Sequence, residues 1–203
     1  MADYVDVNAS VVFSDTLLII VLCEDKLQEV VVCRFLKKGW GITNRQIRIV
    51  QQPQGKGSGE KHVRNNYPAE LNAYRTRKNK AKTVLIAVID ADKGTVAEHN
   101  TELEKACHLK GIMPRHKDDA VMHLVPRRHI ETWLAYLDGK SVNESDSYKP
   151  SYEFKHRESD CSELVYGFVH KCKNNIRIQN PPQSLNSACK EFSERVRTAL
   201  QSD

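Results

Sequence analysis

The sequence has no pair of cysteines at zinc-knuckle spacing. Cys23, Cys33, Cys107, Cys161, Cys172 and Cys189 are scattered along the chain. No two of them form C-x₂₋₄-C, which excludes a zinc ribbon or finger built that way. The histidines form no H-E-x-x-H pattern, which excludes a zincin-type site. The longest apolar run, Leu17 to Cys23, falls far short of the ~20 residues that span a bilayer, so no membrane partner is expected. Met1 to Asp15 holds acidic residues and no basic ones, unlike the positive start of a secretory signal. A cytoplasmic protein with reduced, mostly structural thiols is the expectation. A P-loop is missing too. GKGSGEK at 55–61 places Glu60 where G-x-x-x-x-G-K-[ST] requires lysine.

What the chain does have is an ordinary globular balance. Of its 203 residues, 40% are hydrophobic and 28% charged, and the formal net charge of +5 permits a phosphate-rich partner. TLLIIVLC (16–23) and TVLIAVI (83–89) are short apolar runs rich in β-branched residues. Such runs suit central parallel strands covered on both faces. QIRIV (46–50) and VMHLV (121–125) read as further strands. Helices are expected between them: one carrying Leu27, Val30, Val31 and Phe35 and stopped by Gly39, one restarted by Pro68, and one over 96–110 with Gly111 as cap. A short helix starts near His129, and two more cover 161–172 and about 184–201. The pattern predicts a Rossmann-like α/β domain over 1–138, with a central parallel sheet flanked by helices. Residues 139–203 are expected to be a loop and helical appendage packed on the same domain.

The chemistry gathers at two strand ends. The first apolar strand runs into Glu24, the second into Asp90 and Asp92. Ligands of open parallel sheets bind at that carboxyl edge. Residues two apart on an extended segment point the same way, so both aspartates are expected to face one site with Glu24. Crowded carboxylates repel, and a hard divalent cation such as Mg²⁺ or Mn²⁺ relieves them. Asp25 and Asp92 are alternatively plain helix caps.

LLIIVLCEDKLQEVVVCRFL followed by VLIAVIDADKG resembles the Toprim pattern. That pattern is shared by topoisomerases, bacterial primases, recombination proteins and OLD-family nucleases. LVPRRHIETWLAYL resembles an element found late in such proteins. The resemblance spans about residues 16–138, and the spacing of its motifs suits the small stand-alone or OLD-type versions. It implies a Toprim domain and a Mg²⁺-dependent nuclease. Glu24 would be the acid/base carboxylate and also a metal ligand, Asp90 and Asp92 metal ligands, and Glu131 a further catalytic acid. Arg127 and Arg128 would clamp phosphate. A setting in anti-phage defence beside a partner ATPase is also implied. The chain departs from many Toprim proteins in having Asp25 after the first glutamate, while the closing glycine is present as Gly94.

Lys56, Lys61 and Arg64 in and after the Gly-rich loop are candidate contacts to a DNA or RNA backbone. The cationic cluster of Arg75, Arg77, Lys78, Lys80 and Lys82 extends that track or is simply a solvated helix end. Three rivals stand beside the nuclease: a phosphoryl-transfer enzyme acting on a small substrate, a non-catalytic regulatory or nucleic-acid-binding subunit, and a toxin-like nuclease held silent by its partner.

Overall fold

A computed structural model describes residues 17–52, 58–151, 161–174 and 176–201. Its four parallel strands are β1 (Leu18–Leu22), β2 (Ile47–Val50), β3 (Thr83–Val88) and β4 (Val121–Leu124), in the order β2-β1-β3-β4. Ile19 pairs with Val84 across the centre, and Leu85 with Val121 beyond it. This is the expected Rossmann-like α/β sheet, with helices on both faces.

The two central strands read as unbroken apolar runs because neither has a wet face. Ile20, Leu22, Leu85 and Ala87 point toward α2 (Gly59–Lys78) and α3 (Val96–Leu109). Ile19, Val21, Val84 and Ile86 point the other way, toward α1 (Lys26–Trp40) and the C-terminal helices. Side chains alternate across a strand, so two buried faces require apolar residues at every position.

The helix boundaries follow local chemistry. Asp25 caps α1 by accepting the Gln28 N–H at 2.9 Å. The helix does not stop at Gly39, as the sequence suggests. It continues to Trp40 and ends at Gly41, whose φ of 63° only glycine adopts without strain. Gly39 has a packing role instead: a Cβ there would lie 3.3 Å from Val169 Cγ1. Pro68 does not restart a helix either. It lies inside α2, which begins at the Ser58 cap. Proline costs an interior helix about 3 kcal/mol. Burying Val63, Tyr67, Leu71 and Tyr74 on the same helix, at roughly 1.5–3 kcal/mol for each large apolar side chain, outweighs it. α3 opens with a Thr95–Glu98 capping box.

The chain continues through α4 (Ile130–Leu137), α5 (Ser162–Lys173) and α6 (Gln183–Glu191). The expected single last helix is interrupted. A π-helical turn at Phe192–Val196 separates α6 from α7 (Arg197–Leu200). Phe192 and Val196 are both buried against the sheet. α5 and α6 form a third layer over α1 and α4, where Leu27, Val30, Trp133, Leu134, Val165, Val169 and Leu185 pack together. Within it the Trp133 indole donates to Ser184 Oγ at 2.8 Å.

At the edge strand β4, Arg115 makes a two-pronged ion pair with Glu191 at 2.8 and 2.6 Å and also donates to Val121 O. Glu191 accepts the His123 backbone N–H at 2.8 Å. None of the six cysteines is in a disulfide, and Cys23, Cys33, Cys107 and Cys161 are buried. Among the described residues, no helix is long and apolar enough to cross a membrane.

Candidate active site

In the order β2-β1-β3-β4, β1 connects away to one side of the sheet and β3 to the other. Such a reversal opens a crevice beyond the carboxyl ends of the two central strands. Glu24 leaves β1 there and Asp90 leaves β3. The structure brings them together: the Asp90 backbone N–H donates to Glu24 Oε1 at 2.9 Å. Glu24's own N–H is held by Gln28 Oε1 at 2.9 Å, one turn into α1.

The start of α2 closes over this point. A Cβ on Gly59 would fall 2.5 Å from the Glu24 carbonyl oxygen and 2.6 Å from Glu24 Cβ. Only a residue without a side chain lets the helix approach Glu24 so closely.

The electrostatics follow from burial. Glu24 has its pKa pushed up to about 8 by desolvation, reinforced by the charges of Asp90, Asp25 and Asp92. Burial also raises Asp90, against the pull of His129 and Gln28. The Gln28 amide lies close enough to favour charged Asp90, yet neither Gln28 Nε2 nor Asp90 Oδ1 completes a hydrogen bond.

Asp92 is placed differently from the expectation. It is not on extended backbone: its φ is 46°, and its side chain is 60% exposed while that of Asp90 is 5% exposed. The two aspartates therefore do not share one extended segment. The pair is joined instead by His129, the N-cap residue of α4. Its Nδ1 lies 3.6 Å from Asp90 Oδ2 and 3.3 Å from Asp92 Oδ1. The loops after β3 and β4 are laced together by Ala91 N–H to Pro126 O and Asp92 N–H to Arg128 O, at 2.9 and 3.0 Å. That lacing brings His129 to the carboxylates. His129 escaped the sequence reading, since its approach to Asp90 and Asp92 depends on the pairing of β3 with β4. Asp25 is the helix cap that one sequence alternative allows, whereas α3 is capped by Thr95 rather than Asp92.

Glu131 is buried in the first turn of α4. Burial raises its pKa, and the charges of Asp90 and Asp25 act the same way. Arg127 and Arg128 leave β4 in the loop beside Asp92. Arg128 has a φ of 65°, and Arg127 lines a hollow of mixed character with Thr95, Val96, Asn100, His123 and Val125.

Lys61 is exposed in the first turn of α2. Arg64 is not free: it pairs with Glu60 and lies 3.4 Å from Glu102. Lys56 lies outside the described residues. The 75–82 cluster sits at the end of α2 that leads into the start of β3, at the opposite edge of the sheet from the carboxylates. There Arg75 and Lys78 are tied to Asp119.

The tightest grouping of metal-capable side chains among the described residues is one the sequence did not suggest: Glu60, His99 and Glu102, with ligand atoms all within 4.8 Å of one another. The residues of the Glu24 site fit a hard cation on a different ground. Asp90 Oδ1 is a buried acceptor without a donor, placed beside other carboxylates. Comparison with protein-family models, with curated proteins and with solved structures gives no match.

Proposed function

We propose that this chain is a Toprim-type, Mg²⁺- or Mn²⁺-dependent nuclease that hydrolyses phosphodiester bonds of DNA or RNA. The observation that carries the reading is the buried Asp90 carboxylate, with one oxygen unsatisfied, held against Glu24 beyond the central strands. Glu24, Asp90 and Asp92 would hold the cation, which when bound supplies Lewis-acid stabilisation of charge on the phosphate.

The chain's own residues account for the rest. Glu24, half-buried at the carboxyl edge beside Asp90, would also serve as the general acid/base. Glu131, buried in the first turn of α4, would be a second carboxyl for that role. Arg127 and Arg128 would fix backbone phosphates, and Lys56 and Lys61 would extend the track. Without an ATPase motif of its own, the chain would draw any ATP dependence from a partner ATPase, in a cytoplasmic anti-phage setting.

One observation favours a second reading. The His129 ring itself lies against both Asp90 and Asp92, 3.6 and 3.3 Å from their oxygens. The cluster would then be structural and the chain a regulatory or nucleic-acid-binding subunit.

The deciding assay is Mg²⁺- or Mn²⁺-dependent cleavage of mixed DNA and RNA by wild type, Glu24→Gln and Asp90→Asn, with folding followed by circular dichroism. Cleavage by wild type that is lost in both folded variants supports the nuclease. Cleavage unchanged in both refutes the site. No cleavage, together with no Mg²⁺ binding by titration calorimetry, supports the subunit.

A further inference from the structure

A second cluster lies behind the loop that carries Asp90 and Asp92. His99 is buried on α3, with 7% of its surface exposed. Its Nε2 is 3.2 Å from the Ala91 carbonyl oxygen, which also accepts the Gly94 N–H. A carbonyl oxygen can only accept, so Nε2 carries the proton and donates. Gly94 allows this approach, since a Cβ there would stand 3.0 Å from His99 Nε2.

With Nε2 as donor, Nδ1 is left to face Glu60 and Glu102. It lies 4.0 Å from Glu60 Oε1 and 3.1 Å from Glu102 Oε2. Neither Nδ1 nor Glu102 Oε2 forms a hydrogen bond, although both atoms are buried. In the neutral ring, Nδ1 presents a lone pair to two carboxylates, an arrangement that repels unless a cation sits among them. An imidazole fixed through its far nitrogen by a backbone carbonyl, with its near nitrogen beside carboxylates, has the form of a metal-ligating histidine. Arg64 now supplies part of the missing charge, through Glu60 and Glu102.

We propose that Glu60, His99 and Glu102 form a divalent-metal site of their own, selective for a borderline transition metal such as Zn²⁺ over Mg²⁺. Selectivity follows from the donor set. Imidazole nitrogen suits Zn²⁺ and its first-row neighbours, whereas Mg²⁺ takes oxygen and keeps its water. The metal takes the place of the Arg64 guanidinium between the two glutamates. The site does not depend on the nuclease reading, because no residue is shared with Glu24, Asp90 and Asp92.

The test is a Co²⁺ titration of the full chain in saturating Mg²⁺, with Asp90→Asn as the common background so that the Glu24 site, where His129 Nδ1 also lies, does not hold cobalt. The visible d–d bands report binding, and Zn²⁺ should displace them stoichiometrically. The Asp90→Asn background is expected to bind one Co²⁺. His99→Gln should abolish the bands, and Glu102→Gln should weaken binding roughly tenfold or more, each with folding followed by circular dichroism. Glu102 is the more exposed ligand, so its variant still decides the matter if His99→Gln does not fold. Arg64→Ala should tighten binding by removing the competing cation. Absence of bands in that background, bands that persist in folded His99→Gln or Glu102→Gln, or no tightening in Arg64→Ala would each overturn the site. So would histidine ¹⁵N shifts showing His99 doubly protonated both with and without Zn²⁺. None of these readouts involves cleavage, so failure here is separable from failure of the nuclease.

Discussion

Replacing Glu24 by glutamine in chelator-treated protein should raise stability, and the gain should grow with pH. In the folded chain the Glu24 carboxyl is pushed from an ordinary 4.5 to about 8, chiefly by burial and then by Asp90. The folded state therefore holds that proton more tightly than the unfolded chain. Below the unfolded value the group costs nothing. As pH rises toward the folded value, ionisation favours unfolding and stability falls. Linkage puts the cost at roughly 3 kcal/mol at pH 7, approaching roughly 5 kcal/mol above pH 8. Glutamine keeps a side-chain oxygen for the Asp90 N–H and removes the charge, so it escapes the penalty. Urea unfolding from about pH 4 to pH 9 should show the two proteins converging at the acid end and separating by about 3 kcal/mol at neutrality. Added Mg²⁺ should stabilise wild type and narrow the gap. Parallel stability curves, with a gap independent of pH, would refute the account of Glu24 as a carboxylate strained by burial and its neighbours.

Gly59→Ala forces a Cβ onto the Glu24 backbone at 2.5 Å and should destabilise by about 1–3 kcal/mol, lowering Mg²⁺ affinity more than global stability; calorimetry and urea unfolding separate the two. Arg115→Ala strands Glu191 and should cost about 3–5 kcal/mol, lowering the thermal midpoint by many degrees, because the arginine side chain is only 8% exposed. Leu36→Ala opens a cavity under a fully buried side chain of α1 and should cost about 2–5 kcal/mol in urea unfolding without changing metal binding. His129→Gln should weaken Mg²⁺ binding, because the ring lies against both aspartates and positions them; unchanged or tighter binding by titration calorimetry would refute that role.

The central strands were legible because burial on both faces leaves an unmistakable apolar run, and Glu24 and Asp90 were legible as the first charges after those runs. The meeting of the two was an inference from strand adjacency, and the β1–β3 register bears it out. Asp92 was misplaced because left-handed backbone at that residue leaves no trace in side-chain spacing. Gly39 and Gly41 are close enough in sequence to exchange roles, and only the folded chain distinguishes them, by the left-handed backbone of Gly41 and the packing of Gly39 against Val169. Pro68 misled for a related reason: local preference opposed a helix whose burial had already decided the matter. His129, Gly59 and the Glu60–His99–Glu102 group could not be read from one sequence. Each acquires its neighbours from strand or helix pairing between distant segments, α2 on α3 or β3 beside β4.

The lock between Arg115 and Glu191 has a consequence for how the molecule meets its own kind. A strand at the rim of a sheet is a template on which another chain can build, and β4 would offer its outward groups for that purpose. Here the His123 N–H and the Val121 carbonyl are already claimed by side chains from within the same molecule. Sheet growth through β4, whether as swapped protomers or as fibrils, would first require α6 to release its glutamate.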